Sequence, residues 1–578
     1  MSSANRYLVI MAGIVVLLLG ACAAPATPTP TVPPTPARPT NTPPPTATAI
    51  VTPTAQVEAP QGSPLPTERG KLFSASGACA GCHTGMQDEG GNDVSTDRLW
   101  RSTVMANSAR DPYWQASVRA EVSLRPEMRQ EIESTCARCH MPMAHETALA
   151  EGEEPAVLDE GFLREDNPLH TLAMDGVSCA LCHQIREEGL GLPGSFNGGF
   201  VIDRETPVGG RLTFGPFTID ETQSALMQGA SGYIPLQGLH LSQSEMCASC
   251  HTLYTPILNV EGEVVGEFPE QVPYLEWFYS SYRNSATCQD CHMPEADGGV
   301  RISATSTNLR SPVSRHSTVG GNVFLLEMLK SFGEDLGVTA STEQFDETIA
   351  ATLTLLQEQT ATVALEEIKL VGDYLSAEVV IENNVGHKFP TSFPSRRTWL
   401  HITVEDAGGS LIFESGGVNP DGSIVENDND LDPTAFEPHY QAIVQPEQVQ
   451  IYEAILKDTE EDVTTSVLSA AGFFKDNRLL PWGFEKSAPY EDIQVRGEAM
   501  EDADFDAGGD RVGLALRLPS AQAPLTLRVE LLYQPIGFRW AENLRGMEGE
   551  EVERFLEMYD SLSNTPVVVA SVSQVIER

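Results

Sequence analysis

Basic residues are scarce in this chain. Its 578 residues include 36 Lys and Arg against 81 Asp and Glu, a net charge of −45. A nucleic-acid partner needs a basic surface, so this balance excludes one. Spare thiols are lacking too. Ten of the 11 Cys fall in CxxC pairs and the eleventh, Cys22, stands alone near the N-terminus. That leaves none for a disulfide framework. A membrane-spanning helix needs about 20 apolar residues, and the early apolar run Tyr7–Leu19 has only 13. What is present is a globular mix, 41% hydrophobic and 20% charged, with length enough for several domains.

The first segment reads as an export signal. Arg6 precedes the short apolar run, and Gly20 and Ala21 precede Cys22. Leu19-Gly20-Ala21-Cys22 resembles a bacterial lipobox, which implies cleavage before Cys22 and lipidation of its thiol. The alternatives are an uncleaved anchor or an ordinary signal peptide. Either way the bulk of the protein is expected outside the cytoplasmic membrane, periplasmic or at the cell surface. Residues 22–66 are dominated by Pro, Thr and Ala. Such a stretch has nothing to bury and favours extended polyproline II, a semi-rigid stalk.

The remaining cysteines form five pairs, each followed by His. They are Cys79/Cys82/His83, Cys136/Cys139/His140, Cys179/Cys182/His183, Cys247/Cys250/His251 and Cys288/Cys291/His292. Two thiols three residues apart can add to the two vinyl groups of one haem, and the next residue supplies an imidazole to the iron. A lone CxxC fits a zinc knuckle or a dithiol equally well. Five CxxCH signatures point to five covalently bound c-type haems. They occupy residues 79–292, about 43 residues per haem. So little chain cannot bury five macrocycles separately, and the haems are expected to form much of the core themselves.

Seven His remain for the second iron faces. His145, His170, His240 and His316 lie close in sequence to the signatures. His387, in the loop Gly386-His387-Lys388-Phe389-Pro390-Thr391, is the choice for the fifth, with His439 as competitor. His401 alternates with apolar neighbours in a strand and reads as structural. Met105 is either a thioether ligand or a core filler.

The spacing predicts a helix over 111–133, kinked or broken at Pro126, and another over 322–336. Ser341-Thr342-Glu343-Gln344 reads as a capping box opening a further helix to about residue 360. From residue 363 onward, apolar alternation and Gly turns predict a β-sandwich with a helical insertion near 464–474. The overall expectation is an α+β multidomain chain. A signal peptide (1–21) and lipidated stalk (22–66) lead into a haem-packed domain of short helices and loops (67–320). A helical connector (321–362) and a β-sandwich-like domain (363–578) follow. Two acidic ladders, Asp502/Asp504/Asp506 and Asp428/Asp430/Asp432, raise a weak case for Ca2+. It is weakened further by Ala507, which stands where a calcium loop has Gly.

The five signatures, Cys139-His140-Met141-Pro142, Cys291-His292-Met293-Pro294 and the 316–321 segment together resemble cytochrome c554/c-prime-type multihaem cytochromes, over about residues 70–330. The resemblance implies stacked haems and electron transfer. Enzyme relatives include hydroxylamine oxidoreductase and pentahaem nitrite reductase. Every signature here ends in His, so the Lys-ligated haem of the latter is absent. The Gly-His-Lys-Phe-Pro-Thr loop resembles an element of other multihaem cytochromes in which the His approaches a haem. The run Lys475-Asp476-Asn477-Arg478-Leu479-Leu480-Pro481 resembles such proteins as well, with no role attached.

Three functions follow. The first is a tethered electron carrier with mainly bis-His haems and a redox partner bearing a basic docking surface. The second is an oxidoreductase acting on a small nitrogen or sulfur compound at one open haem, with Arg396, Arg397 and His439 as polar groups. The third is a haem-bearing structural subunit of a surface complex or filament.

Overall fold

The computed structural model describes residues 62–259, 262–519 and 522–577. The signal peptide, Cys22 and most of the stalk lie outside the described residues. The end of the expected stalk joins the body. Leu65 is buried against Trp100 and Ala106, and Gly77 N–H donates to the Pro66 carbonyl at 2.8 Å. All described residues belong to one compact unit. Among them, no helix is long and apolar enough to cross a membrane.

The architecture is mixed α/β. Residues 62–360 are short helices, turns and loops, with two small sheets. Arg211–Gly215 pairs in parallel with Tyr233–Gln237, and Leu253–Leu258 pairs antiparallel with Val264–Gln271. The helix Pro112–Leu124 starts where Asp111 caps it, accepting from Tyr113 N at 2.9 Å and Trp114 N at 3.2 Å, with Pro112 in the first turn. It ends before Pro126, and Arg129–His140 begins a new helix. The Ser341–Gln344 capping box opens Thr342–Leu355.

Residues 361–577 are dominated by two sheets. One orders its strands Ile451–Tyr452, Arg397–Glu405, Leu525–Gln534, Val567–Ile576, with Leu411–Ser415 also on Arg397–Glu405. The other orders Ala361–Val371, Tyr374–Asn383, Gly509–Arg517, Ala442–Ile443. Period-two alternation turns Leu375, Ala377, Val379 and Ile381 inward from one sheet. Leu400, Ile402 and Val404 turn inward from the other, and both sets join one apolar cluster.

The helical insertion expected near 464–474 is not there. Val463–Thr464 and Gly472–Asp476 instead flank Ala454–Lys457 as antiparallel strands. Strand pairing takes the two ends of the segment, and residues 465–471 between them are turn and loop. The acidic ladders do not converge as calcium sites either. Asp430 is buried in an ion pair with Arg397 at 2.8 Å, and Asp432 accepts from Thr434 N at 2.9 Å. Asp502 faces His439 at 3.2 Å.

Candidate haem cavity

Each CxxCH closes a single helical turn. The N–H groups of His83, His183 and His251 donate to the carbonyls of Cys79, Cys179 and Cys247 at 3.1, 3.1 and 2.9 Å. Residues three and four apart share a face, so the two thiols and the following imidazole point the same way. Thr287 and Asp290 form a capping box that starts the Cys288–His292 turn.

All ten thiols and all five of these imidazoles line one continuous, mostly apolar cavity of about 1660 Å³. That exceeds the range of a pocket for one small ligand, roughly 300–1,000 Å³. The 361–577 half supplies part of the wall, including His387, Phe389, Arg396 and Tyr533. Thiols of different motifs lie beside one another, Cys79 beside Cys179, Cys139 beside Cys250 and Cys247 beside Cys288. Cys182 lies close enough to Cys247 and Cys250 to raise both. The fourth motif therefore neighbours the second, third and fifth, and the first neighbours the third.

Four of the five motif imidazoles commit Nδ1 to a backbone carbonyl. His83 donates to Ile302 (2.6 Å), His140 to Ser108 (3.1 Å), His183 to Phe214 (2.6 Å) and His292 to Val319 (2.6 Å). This bond fixes the tautomer with a free lone pair on Nε2, the form a metal binds. Burial lowers the pKa of His140, His251, His316 and His387 to about 4, and that of His183 and His292 in the same direction. These rings are neutral near pH 7.

Two further imidazoles face motif imidazoles across the cavity. His316 lies 6.3 Å from His183, ring centre to ring centre, with an interplanar angle of 18°. His387 lies 6.3 Å from His292 at 16°. Two imidazole nitrogens each about 2 Å from one metal place the ring centres about 6 Å apart. Rings in direct stacking contact sit closer, as Trp114 and His140 do at 4.4 Å and 3°. His316 and His387 also commit Nδ1, to the carbonyls of Ser314 at 3.2 Å and Lys388 at 2.8 Å. The residues present fit haem in chemistry and in geometry.

The other distal candidates are placed differently. His145 is fully buried, with Nε2 on Ser134 Oγ at 3.2 Å and Nδ1 on Glu146 at 3.3 Å, so both nitrogens are engaged. His240 donates Nε2–H to the Ile185 carbonyl at 2.9 Å. His170 holds the Phe162 carbonyl at 2.9 Å through Nδ1. None of the three lines the cavity, whereas Met105 does. His401 is held between Glu530 and Glu414 in its strand, a structural setting.

His439 also lies off the cavity. It joins Asp502 and Asp510 in a buried cluster whose ligand atoms lie within 4.8 Å of one another. Gln450 accepts from Tyr440 N (2.7 Å) and Asn477 from Glu453 N (3.0 Å), which fixes both amides. Their NH₂ groups donate to His439 Nδ1 at 2.9 and 3.0 Å. The ring proton is thereby on Nε2, toward Asp502, and the lone pair a cation would need is not available. Arg397 is buried on Asp430, so of Arg396, Arg397 and His439 only Arg396 reaches the cavity.

Sequence reasoning missed the cavity carboxyls. Burial raises Asp111 to about 6 and Glu270 to about 8, and both line the wall. It also missed Trp114, whose ring covers His140. Asp111 is marked locally as a helix cap, but no local signal marks the facing of these residues toward the cavity, which chain segments far apart set.

No family model matches the sequence, and no curated relative matches it. The structure is similar to a penta-heme cytochrome c552 from Thermochromatium tepidum. The two share 15% identity and a TM-score of 0.47, over 88% of this chain and 100% of that one.

Proposed function

We propose that the protein is a pentahaem c-type cytochrome that carries electrons. The observation that carries this reading is the single cavity lined by ten paired thiols and five following imidazoles, with His316 and His387 facing two of the five. A haem iron cycles between ferric and ferrous states and so supplies one-electron transfer. The chain's part is to hold, orient and shield. The Cys pairs anchor, the Nδ1–carbonyl bonds keep Nε2 free, and the apolar wall excludes water. His183 with His316, and His292 with His387, are the imidazole pairs that would each hold one haem iron. Motif contacts set the neighbour order first–third–fourth–fifth, with the second beside the fourth.

Export, a lipid tether at Cys22 and a redox partner with a basic docking surface complete the reading. Their support is the Leu19–Cys22 sequence and the charge of −45. A second reading, oxidoreduction of a small compound at an open haem, has its own observation. Among the described residues His83, His140 and His251 have no imidazole across the cavity. Arg396 lines the same cavity, close enough to Asp111 to act on its carboxyl.

EPR and ligand-binding optical spectra of the haem-loaded protein test both. Five low-spin irons that ignore CO, cyanide and nitrite support the carrier. A high-spin iron that binds them supports the second reading. Fewer than five haems per chain overturns the cofactor assignment.

A further inference from the structure

We propose that Glu276, Asp476 and Arg478 are positioning residues for His387, forming with Lys388 a buried four-charge clamp. This inference rests on the reading of His387 as an iron ligand. The two motifs that resembled multihaem cytochromes, residues 386–391 and 475–481, meet at this clamp.

Lys388 Nζ donates to Asp476 Oδ2 at 2.7 Å, and Arg478 grips the same carboxylate with two bonds of 2.8 Å. Arg478 Nη1 lies 3.0 Å from Glu276 Oε1. Glu276 sits on the helix Pro273–Phe278, on the haem-motif side of the chain. Its Oε2 accepts from Lys388 N–H at 3.2 Å and from the Thr391 hydroxyl. Two positive and two negative groups are thus enclosed together. Lys388, Asp476 and Glu276 are all 0% exposed and Arg478 is 8% exposed.

Such a quartet is an unfavourable way to gain stability, because desolvating the four charges offsets their attraction. What it does supply is a fixed geometry. The bonds grip the backbone at Lys388, adjacent to His387, and the side chain of Thr391 four residues on. The Lys388 carbonyl receives the His387 Nδ1–H. The backbone of 476–479 completes the grip. Phe389 and Leu479 exchange N–H···O bonds of 2.9 Å, and Asn383 Nδ2 donates to the His387 and Leu479 carbonyls at 3.0 Å. On the other side Gly386 presses on the helix. A Cβ there would sit 3.1 Å from Trp277 and 3.2 Å from Tyr282. An outer shell of this kind orients a metal-binding imidazole and tunes its basicity.

The test uses the full haem-loaded chain carrying Asp476→Asn, Glu276→Gln, Arg478→Lys or His387→Ala. The readouts are haem content, low-spin EPR signals and CO uptake. His387→Ala is expected to remove one low-spin signal and to add about one equivalent of CO binding. Asp476→Asn and Glu276→Gln are expected to keep haem content while shifting or broadening that same signal. Arg478→Lys, which keeps the charge but loses the fork, is expected to shift it less. If the Asn and Gln variants melt earlier yet leave that signal and CO uptake as in the wild type, the clamp is only structural and the proposal is overturned. If His387→Ala leaves every low-spin signal in place, the ligand reading itself fails and this inference with it. Should the charge variants not fold, Thr391→Val, which keeps all four charges, decides by the same signal: a shift supports the clamp, no shift overturns it.

Discussion

The two halves of the chain obtain their cores in different ways. Residues 361–577 bury their own side chains. Inward positions of two sheets, such as Val379, Ile402 and Val529, are wholly or almost wholly buried against one another. Residues 62–360 build an apolar cluster from Leu72, Phe73 and Val157 among others, yet turn much of their remaining apolar surface toward the cavity. One half is closed by strand alternation. The other is a wall around a space large enough for a large apolar cofactor, which the proposed function places there. A cofactor-completed core needs less regular structure, because the macrocycles supply the packing surface that sheets or long helices supply elsewhere.

The strongest way to break this comparison is to withhold haem attachment from the full chain. We expect limited proteolysis to digest residues 62–360 while a fragment starting near residue 361 survives with a β-type circular dichroism spectrum. Equal protection of both halves would show that the cavity wall needs no cofactor.

The next largest effect lies in the other half. Trp399 is fully buried, and Trp399→Ala is expected to cost about 3–5 kcal/mol in denaturant unfolding. The optical spectrum of the still-folded variant should be unchanged, as Trp399 does not line the cavity.

His316→Ala sharpens the contrast at one site. It should convert one low-spin iron, the partner of His183, to a form that binds CO. Global melting is expected to move far less than for Trp399→Ala.

The smallest effect concerns His439. Burial, with the nearby Lys475 charge, lowers its pKa to about 4, against 6.5 for the free side chain. Between these values the unfolded chain binds a proton that the folded one does not. The stability contribution is therefore intact above about pH 6.5 and is lost as pH falls toward about 4. His439→Gln should flatten the acid side of the melting-temperature profile relative to wild type, read by calorimetry from pH 7 to pH 4.

Much of the candidate site was legible because it is local. Five CxxCH turns carry their chemistry in five consecutive residues, and capping at Asp111 and Ser341 is likewise a matter of near neighbours. The strand over residues 399–404 follows from alternation alone. The distal faces were only partly legible. His316 and His387 were named among five candidates, but so were His145, His170 and His240. Nothing in sequence distance separates a ring that faces another across a cavity from one that is held by Ser134 or by the Ile185 carbonyl. The 464–474 segment failed for a related reason. Only its ends, Thr464 and residues 472–474, pair with the strand Ala454–Lys457, far enough away in sequence to leave no local mark, and the residues between are turn and loop.

By itself the sequence determined the number and place of the thiol pairs, their adjoining imidazoles, the acidic charge and the change from helix and loop to strand. These depend on residue type and on separations of a few residues, which backbone geometry converts directly into shared faces. Only the tertiary structure decided that His316 meets His183 and His387 meets His292. It also decided that the fourth motif touches three others, and that Glu276, Lys388, Asp476 and Arg478 form one buried quartet. Those pairings join segments from about 40 to more than 200 residues apart, and only the packing of the whole chain around one cavity brings them together.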